Sequence, residues 1–132
     1  MITESESASL TYSSLEKEIG FRKAQVNWLN ISGEIVFSIN YMTDLNPNKQ
    51  KEEFSRQFYR IAGIGSYYFS RTNTTAKTMM IMAEDINNPT TKQNPPLYEV
   101  IFDKQHIIEW MNHEIDEDAF YATWFIVPLP NK

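Results

Sequence analysis

The chain has 132 residues, 42% of them apolar and 22% charged, with a formal charge of −5, which is the balance of a globular protein and not of a disordered one. That length points to one domain able to build a core without metal or disulfide staples. The absence of cysteine excludes disulfides, thiol catalysis and cysteine-ligated zinc or iron–sulfur centres.

Residues 1–20 are rich in Ser, Thr and Glu and read as a flexible polar tail or tether. A single α+β domain over residues 21–132 is expected to follow. Within the tail, residues 14–18 suit a short helical turn, which Gly20 would stop. The first residues have neither a basic region nor an apolar run, so no signal peptide is expected. No stretch approaches the roughly 20 apolar residues of a membrane-spanning helix. The chain as written therefore reads as cytoplasmic, or as extracytoplasmic if an upstream signal or anchor has been removed.

Residues 23–29 place Val26 and Trp28 on one side and Gln25 and Asn27 on the other. Residues 34–42 alternate more clearly, with Ile35, Phe37, Ile39 and Tyr41 against Val36, Ser38, Asn40 and Met42. Period two marks a half-buried strand. Asn30-Ile31-Ser32-Gly33 reads as a turn that makes these two segments a hairpin. One bent strand with a bulge at Gly33 is the alternative.

The organising element is a long amphipathic helix over residues 46–71. Phe54, Phe58, Ile61, Gly65 and Tyr68 recur at intervals of four and three and share one face. Asn46 suits an N-cap ahead of Pro47, with Asn48 a rival. Gly63 and Gly65 weaken the helix by ~1 kcal/mol each. Either they let a strand pass close by, or the helix stops near Ala62. The stripe stays in phase through Tyr68, which favours the continuous helix.

Residues 78–84, TMMIMAE, are apolar on both sides, as in a central strand covered on both faces. Residues 85–96 form a polar loop with three prolines. Residues 97–102 are a strand with Tyr98, Val100 and Phe102 on one side. Residues 106–111 read as a further strand, although Ile107, Ile108, Trp110 and Met111 also fit a helical stripe. An acidic connection follows, with one helical turn at 116–119, and residues 120–127 read as a last aromatic strand ended by Pro128 and Pro130. The fold class is thus α+β: an antiparallel sheet of about five to six strands with one long helix packed on one face.

One helix covers one sheet face, yet both phases of several strands are apolar. Val36, Met42, Met80, Met82, Ile107 and Met111 are the candidate partner-binding residues on the second face. Uncovered, such a patch would exceed what soluble monomers usually expose. A curled sheet, the tail or the long loop would cover it, or else a protein partner or a second copy of the chain. Flexible thioethers suit an adaptable contact surface.

Charge is uneven. Glu4, Glu6, Glu16 and Glu18 oppose only Lys17 near the start, residues 44–77 are mildly basic, and residues 99–118 carry seven acids against Lys104. The acidic end argues against nucleic-acid binding, which needs cations for phosphates. His106 and His113 lie near carboxylates, but their spacing matches no standard metal pattern. Gly63-Ile64-Gly65 sits inside a helical pattern and not after a strand, so it is not a dinucleotide fingerprint. No nucleophile elbow is present. No catalytic, cofactor or metal residue is assigned. The leading expectation is a non-enzymatic accessory protein, bacterial or phage in character, that binds another protein or itself. The alternatives are a ligand-binding or enzymatic domain with an aromatic-lined pocket, and the soluble domain of an anchored envelope protein.

Overall fold

Alternating apolar residues build the middle of this molecule: Phe37, Ile39 and Tyr41 in one strand, and Met79, Ile81 and Ala83 in its neighbour, are all fully buried. The structure, a computed structural model, describes residues 1–19 and 23–128. Five strands form one sheet in chain order: β1 (Gln25–Ile31), β2 (Glu34–Thr43), β3 (Thr78–Asp85), β4 (Tyr98–Asp103) and β5 (Phe125–Val127). Four helices accompany it among the described residues: α1 (Glu4–Ile19), α2 (Lys51–Phe69), α3 (Lys104–Met111) and α4 (Glu117–Ala122).

The architecture is α+β with a mostly antiparallel sheet. β1 and β2 form the expected hairpin, and its two-residue turn holds Ser32 at φ 54° and Gly33 at φ 86°. Two positive φ values suit the right-handed strand twist, and glycine takes the second at no steric cost. Asn30 Oδ1 accepts from the Gly33 N–H at 3.0 Å. The β2–β3 pair is parallel, which corrects the fully antiparallel reading. The cause is α2: a helix between two strands carries the chain back to the starting end of the sheet, so the next strand runs in the same direction.

The number of elements also differs from the expectation, with four helices in place of one and five strands at the lower end of the range. Residues 1–19 are not a free tail. Thr3 and Glu6 form a reciprocal capping box, each backbone N–H donating to the other's side-chain oxygen at 3.1 Å. α1 then packs on α2 and β1. Its buried face is Ser7, Thr11 and Leu15, spaced by four, so it carries little apolar signal. The Trp28 indole donates to the Glu4 carbonyl at 2.7 Å, the Thr74 hydroxyl donates to the Glu4 carboxylate at 2.7 Å, and Ile2 bridges to Thr72. The proposed stop at Gly20 and the strand end at Pro130 lie outside the described residues.

Residues 106–111 are helix α3, not strand. Asp103 ends β4 and caps α3, its carboxylate accepting from the Gln105 N–H at 2.8 Å. Residues 120–127 divide between α4 and the short β5. Asp116 caps α4 through the Ala119 N–H at 2.8 Å. Phe120 is fully buried, with its ring centroid 4.3 Å from Trp110 and 5.7 Å from Phe102. A short apolar run is compatible with either a buried helix or a strand, and here tertiary packing chooses helix for its first half.

α2 is continuous through both glycines, starting later than drawn from sequence. Asn46 instead caps the preceding turn, its side chain accepting from the Asn48 and Lys49 N–H groups at 2.8 and 3.0 Å. Gly65 is where α2 meets the sheet. A Cβ there would lie 2.6 Å from Ile39 Cδ1 and 3.1 Å from Met79 Sδ. Gly63 is different, since a Cβ there would meet only the Trp110 ring, at 4.0 Å. Gly63→Ala is therefore expected to stabilise the protein by roughly 0.5–1 kcal/mol through helix propensity. Gly65→Leu is expected to destabilise it by about 1–3 kcal/mol through overpacking. Urea unfolding of the two variants checks the difference in sign.

Candidate functional site

The strand register assigns each side chain to a face. Val26, Trp28, Phe37, Ile39, Tyr41, Met79, Ile81, Val100, Phe102 and Ile126 share one side. All four helices lie there. The Phe69 ring stacks 5.7 Å from Phe37, Phe58 lies 6.3 Å from Tyr41, and α4 reaches Phe102 through Phe120. α1 joins them through Trp28, and α3 through the Trp110–Phe120 stack.

The opposite side is the candidate site. One row across it reads Asn27, Ser38, Met80, Ile101, Phe125, and the next reads Gln25, Asn40, Met82, Glu99, Val127. No helix among the described residues covers these rows. Leu29, Ile31, Phe125 and Val127 are 38, 46, 61 and 41% exposed, and Met42, Met80, Met82 and Ile101 are half-buried. Val36 and Ser38 on β2 are buried, and the Ser38 hydroxyl donates to Asn40 Oδ1 at 3.3 Å.

Of the six residues expected to meet a partner, Val36, Met42, Met80 and Met82 are brought together on this open face. Ile107 and Met111 are not. Ile107 is fully buried in the helix-side core and Met111 packs against it, because α3 folds back over the other face. Sequence reasoning missed Leu29, Ile31 and Ile101 as members of the patch, and Phe125 and Val127 join them from β5. Ile101 carried the signal, since it alternates out of phase with Val100 and Phe102.

Among the described residues every charged strand position on the open face is acidic: Glu34, Glu84, Glu99 and Asp103. The carboxylate of Asp103 is already engaged as the α3 cap.

The histidines do other work. His106 Nδ1 lies 3.0 Å from Glu109 Oε1, one turn along α3. His113 follows the α3 C-cap at φ 60°, its N–H bonded to the Trp110 carbonyl at 3.1 Å, so it closes the helix. Among the described residues no three His, Asp or Glu side chains are placed to hold a metal ion. No helix among them is long and apolar enough to cross a membrane.

The helix side has one feature of its own, a cavity of about 370 Å³ between the first turns of α2, strands β4 and β5, and α4. Tyr59 and Trp124 stand in its wall, with ring centroids 5.2 Å apart. Burial pushes the Tyr59 phenol up to about 12, with the charges of Glu117, Tyr121 and Asp118 adding to the shift. Burial raises Tyr41 as well.

No family model matches this chain, and no curated protein or solved structure is similar to it. The functional reading therefore rests on geometry and chemistry alone.

The tyrosines make the fold sensitive to alkali. Both are acids whose protonated form is favoured in the folded state, so their contribution to stability is complete below the ordinary tyrosine pKa near 10. It is lost as pH rises, and Tyr59 completes its loss near 12. Denaturant midpoints followed across that window should fall for the wild type and fall less steeply for Tyr59→Phe.

Proposed function

We propose that this chain is a non-enzymatic docking module whose open sheet face receives another protein with an apolar centre and basic flanks. The observation that carries the reading is the uncovered face of β1–β5, where Leu29, Ile31, Phe125 and Val127 remain exposed beside half-buried methionines. Contiguous apolar area of this kind marks interaction surfaces. Methionine side chains adapt to irregular partners.

The charge pattern selects the kind of partner. Two copies meeting face to face would bring Glu84 and Glu99 against further carboxylates, and like charges in an interface cost affinity. Lysine or arginine at the rim of a partner would meet Glu34, Glu84 and Glu99 favourably. Five strands at ~4.8 Å spacing give a platform ~19 Å wide, enough for one helix laid across it with its apolar stripe down.

A designed amphipathic helix of leucine and lysine serves as the probe, with a leucine–glutamate helix as its counterpart. The lysine helix should shift the methyl resonances of Met42, Met80 and Met82, while the glutamate helix should leave them in place. Ile101→Glu should abolish the effect without unfolding the protein. Unmoved methyls with both helices would sink the proposal, as would concentration-dependent dimers that Ile101→Glu dissolves.

A further inference from the structure

The cavity on the helix side is independent of the open sheet face, and its walls have a distinct chemistry. Six aromatic side chains line it: Phe54, Phe58, Tyr59, Tyr98, Tyr121 and Trp124. The first three come from α2, Tyr98 from β4 and Tyr121 from α4, while Trp124 sits just before β5. A volume of about 370 Å³ lies within the ~300–1,000 Å³ that small-molecule sites occupy.

Trp124 is held rigidly. Its ring centroid lies 5.4 Å from Phe58, 5.2 Å from Tyr59, 5.1 Å from Phe102, 5.7 Å from Phe120 and 5.0 Å from Tyr121. An indole wedged on several sides presents a fixed flat wall, so little ordering is needed when a ligand stacks on it. The Trp124 Nε1–H is buried and has no acceptor among the described residues. Buried indole N–H groups normally find one. Tyr121 stays 47% exposed while its ring packs at a tilt against Trp124, where closed core packing would bury it.

The polar lining narrows the ligand class. Among the described residues Lys51 is the only charged one in the wall, and Asn48 and Ser55 are the other side-chain polar groups besides the phenols and the Trp124 indole. Among the described residues no carboxylate lines the cavity, which removes the usual acceptors for a sugar's hydroxyls, and Lys51 repels a cation that the aromatic faces alone would attract. One lysine is too little for a polyphosphate. Glu52 and Glu117 lie in the adjoining depression, which shares Lys51, Ser55 and Tyr59 with the cavity and also holds Arg56 and Arg60.

We propose that this cavity binds a flat aromatic molecule carrying one anionic group, with the ring system against Trp124 and its neighbours and the anion towards Lys51. The phenol of Tyr59 remains a hydrogen-bond donor at neutral pH, which suits an acceptor-bearing guest.

The probe is 2-naphthoate, added to the full chain labelled with nitrogen-15. The Trp124 indole N–H resonance should shift saturably at micromolar to low millimolar concentration, while the indole resonances of Trp28 and Trp110 stay in place and report an intact fold. Cyclohexanecarboxylate, which is not flat, and 2-naphthylmethylammonium, which is cationic, should each bind at least about tenfold more weakly. Lys51→Gln should weaken 2-naphthoate about tenfold, the order of one charge-assisted contact. Ser55→Trp, which places bulk in the cavity mouth, should remove binding. No saturable shift, equal binding of the cation, or shifts confined to the Met80 and Met82 methyls would each overturn the assignment.

Discussion

The close approach at Gly65 sets the geometry of the whole molecule. With no side chain at that position, α2 rests directly on Ile39 of β2 and Met79 of β3. The helix can then bury Phe54, Phe58, Ile61, Ala62 and Phe69 against the sheet while linking two parallel neighbouring strands. Because the crossover lies on that side, every later element that needs apolar cover gathers there too. α3 and α4 add Ile107 and Phe120 to the same core, and α1 closes its edge over β1. The open face follows from this concentration of helices on one side.

Two surfaces of different character result. The sheet face is broad, with Met80, Met82, Ile101, Phe125 and Val127 beside Asn27, Ser38, Asn40 and Glu99, and it is the face proposed to receive a protein. The helix-side cavity is aromatic, with a single lysine among the described residues, and it is the site proposed for a small flat guest. They are built from opposite phases of the same strands: Val100 and Ile126 line the cavity, while Glu99, Ile101, Phe125 and Val127 lie on the open face. Each can therefore be altered by substitution without touching the other.

Much of this was legible in the residue pattern, and the remainder has identifiable physical reasons. The alternation of β2 and the stripe of α2 are strong periodic signals, and both elements form. The two-sided apolarity of residues 78–84 pointed to a central strand covered on both faces; β3 is the middle strand, but only its face with Met79 and Ile81 is covered, while Met80 and Met82 stay half-buried. α1 escaped notice because Ser7 and Thr11 occupy its buried face, so packing relies on small side chains and not on an apolar stripe. Its capping box, Thr3 with Glu6, was nevertheless present in the sequence. α3 and α4 were misread or shortened because Ile107, Ile108 and Trp110, and Phe120 and Tyr121, suit strands as well as helices, while their deciding signals were single aspartates, Asp103 and Asp116, placed as caps. The misassignment of Ile107 and Met111 to the contact surface followed directly from reading α3 as a strand.

The central claim is that one face of the sheet is sealed and the other is open, and β3 contains its own control. Met79 is fully buried beneath α2, whereas Met80 and Met82 on the other face are partly accessible. Methionine oxidation follows exposure. Brief treatment of the folded protein with dilute hydrogen peroxide, read by peptide mass spectrometry, should oxidise Met80 and Met82 well before Met79. Equal protection of all three residues, or oxidation of Met79 at the rate of its neighbours, would contradict the account.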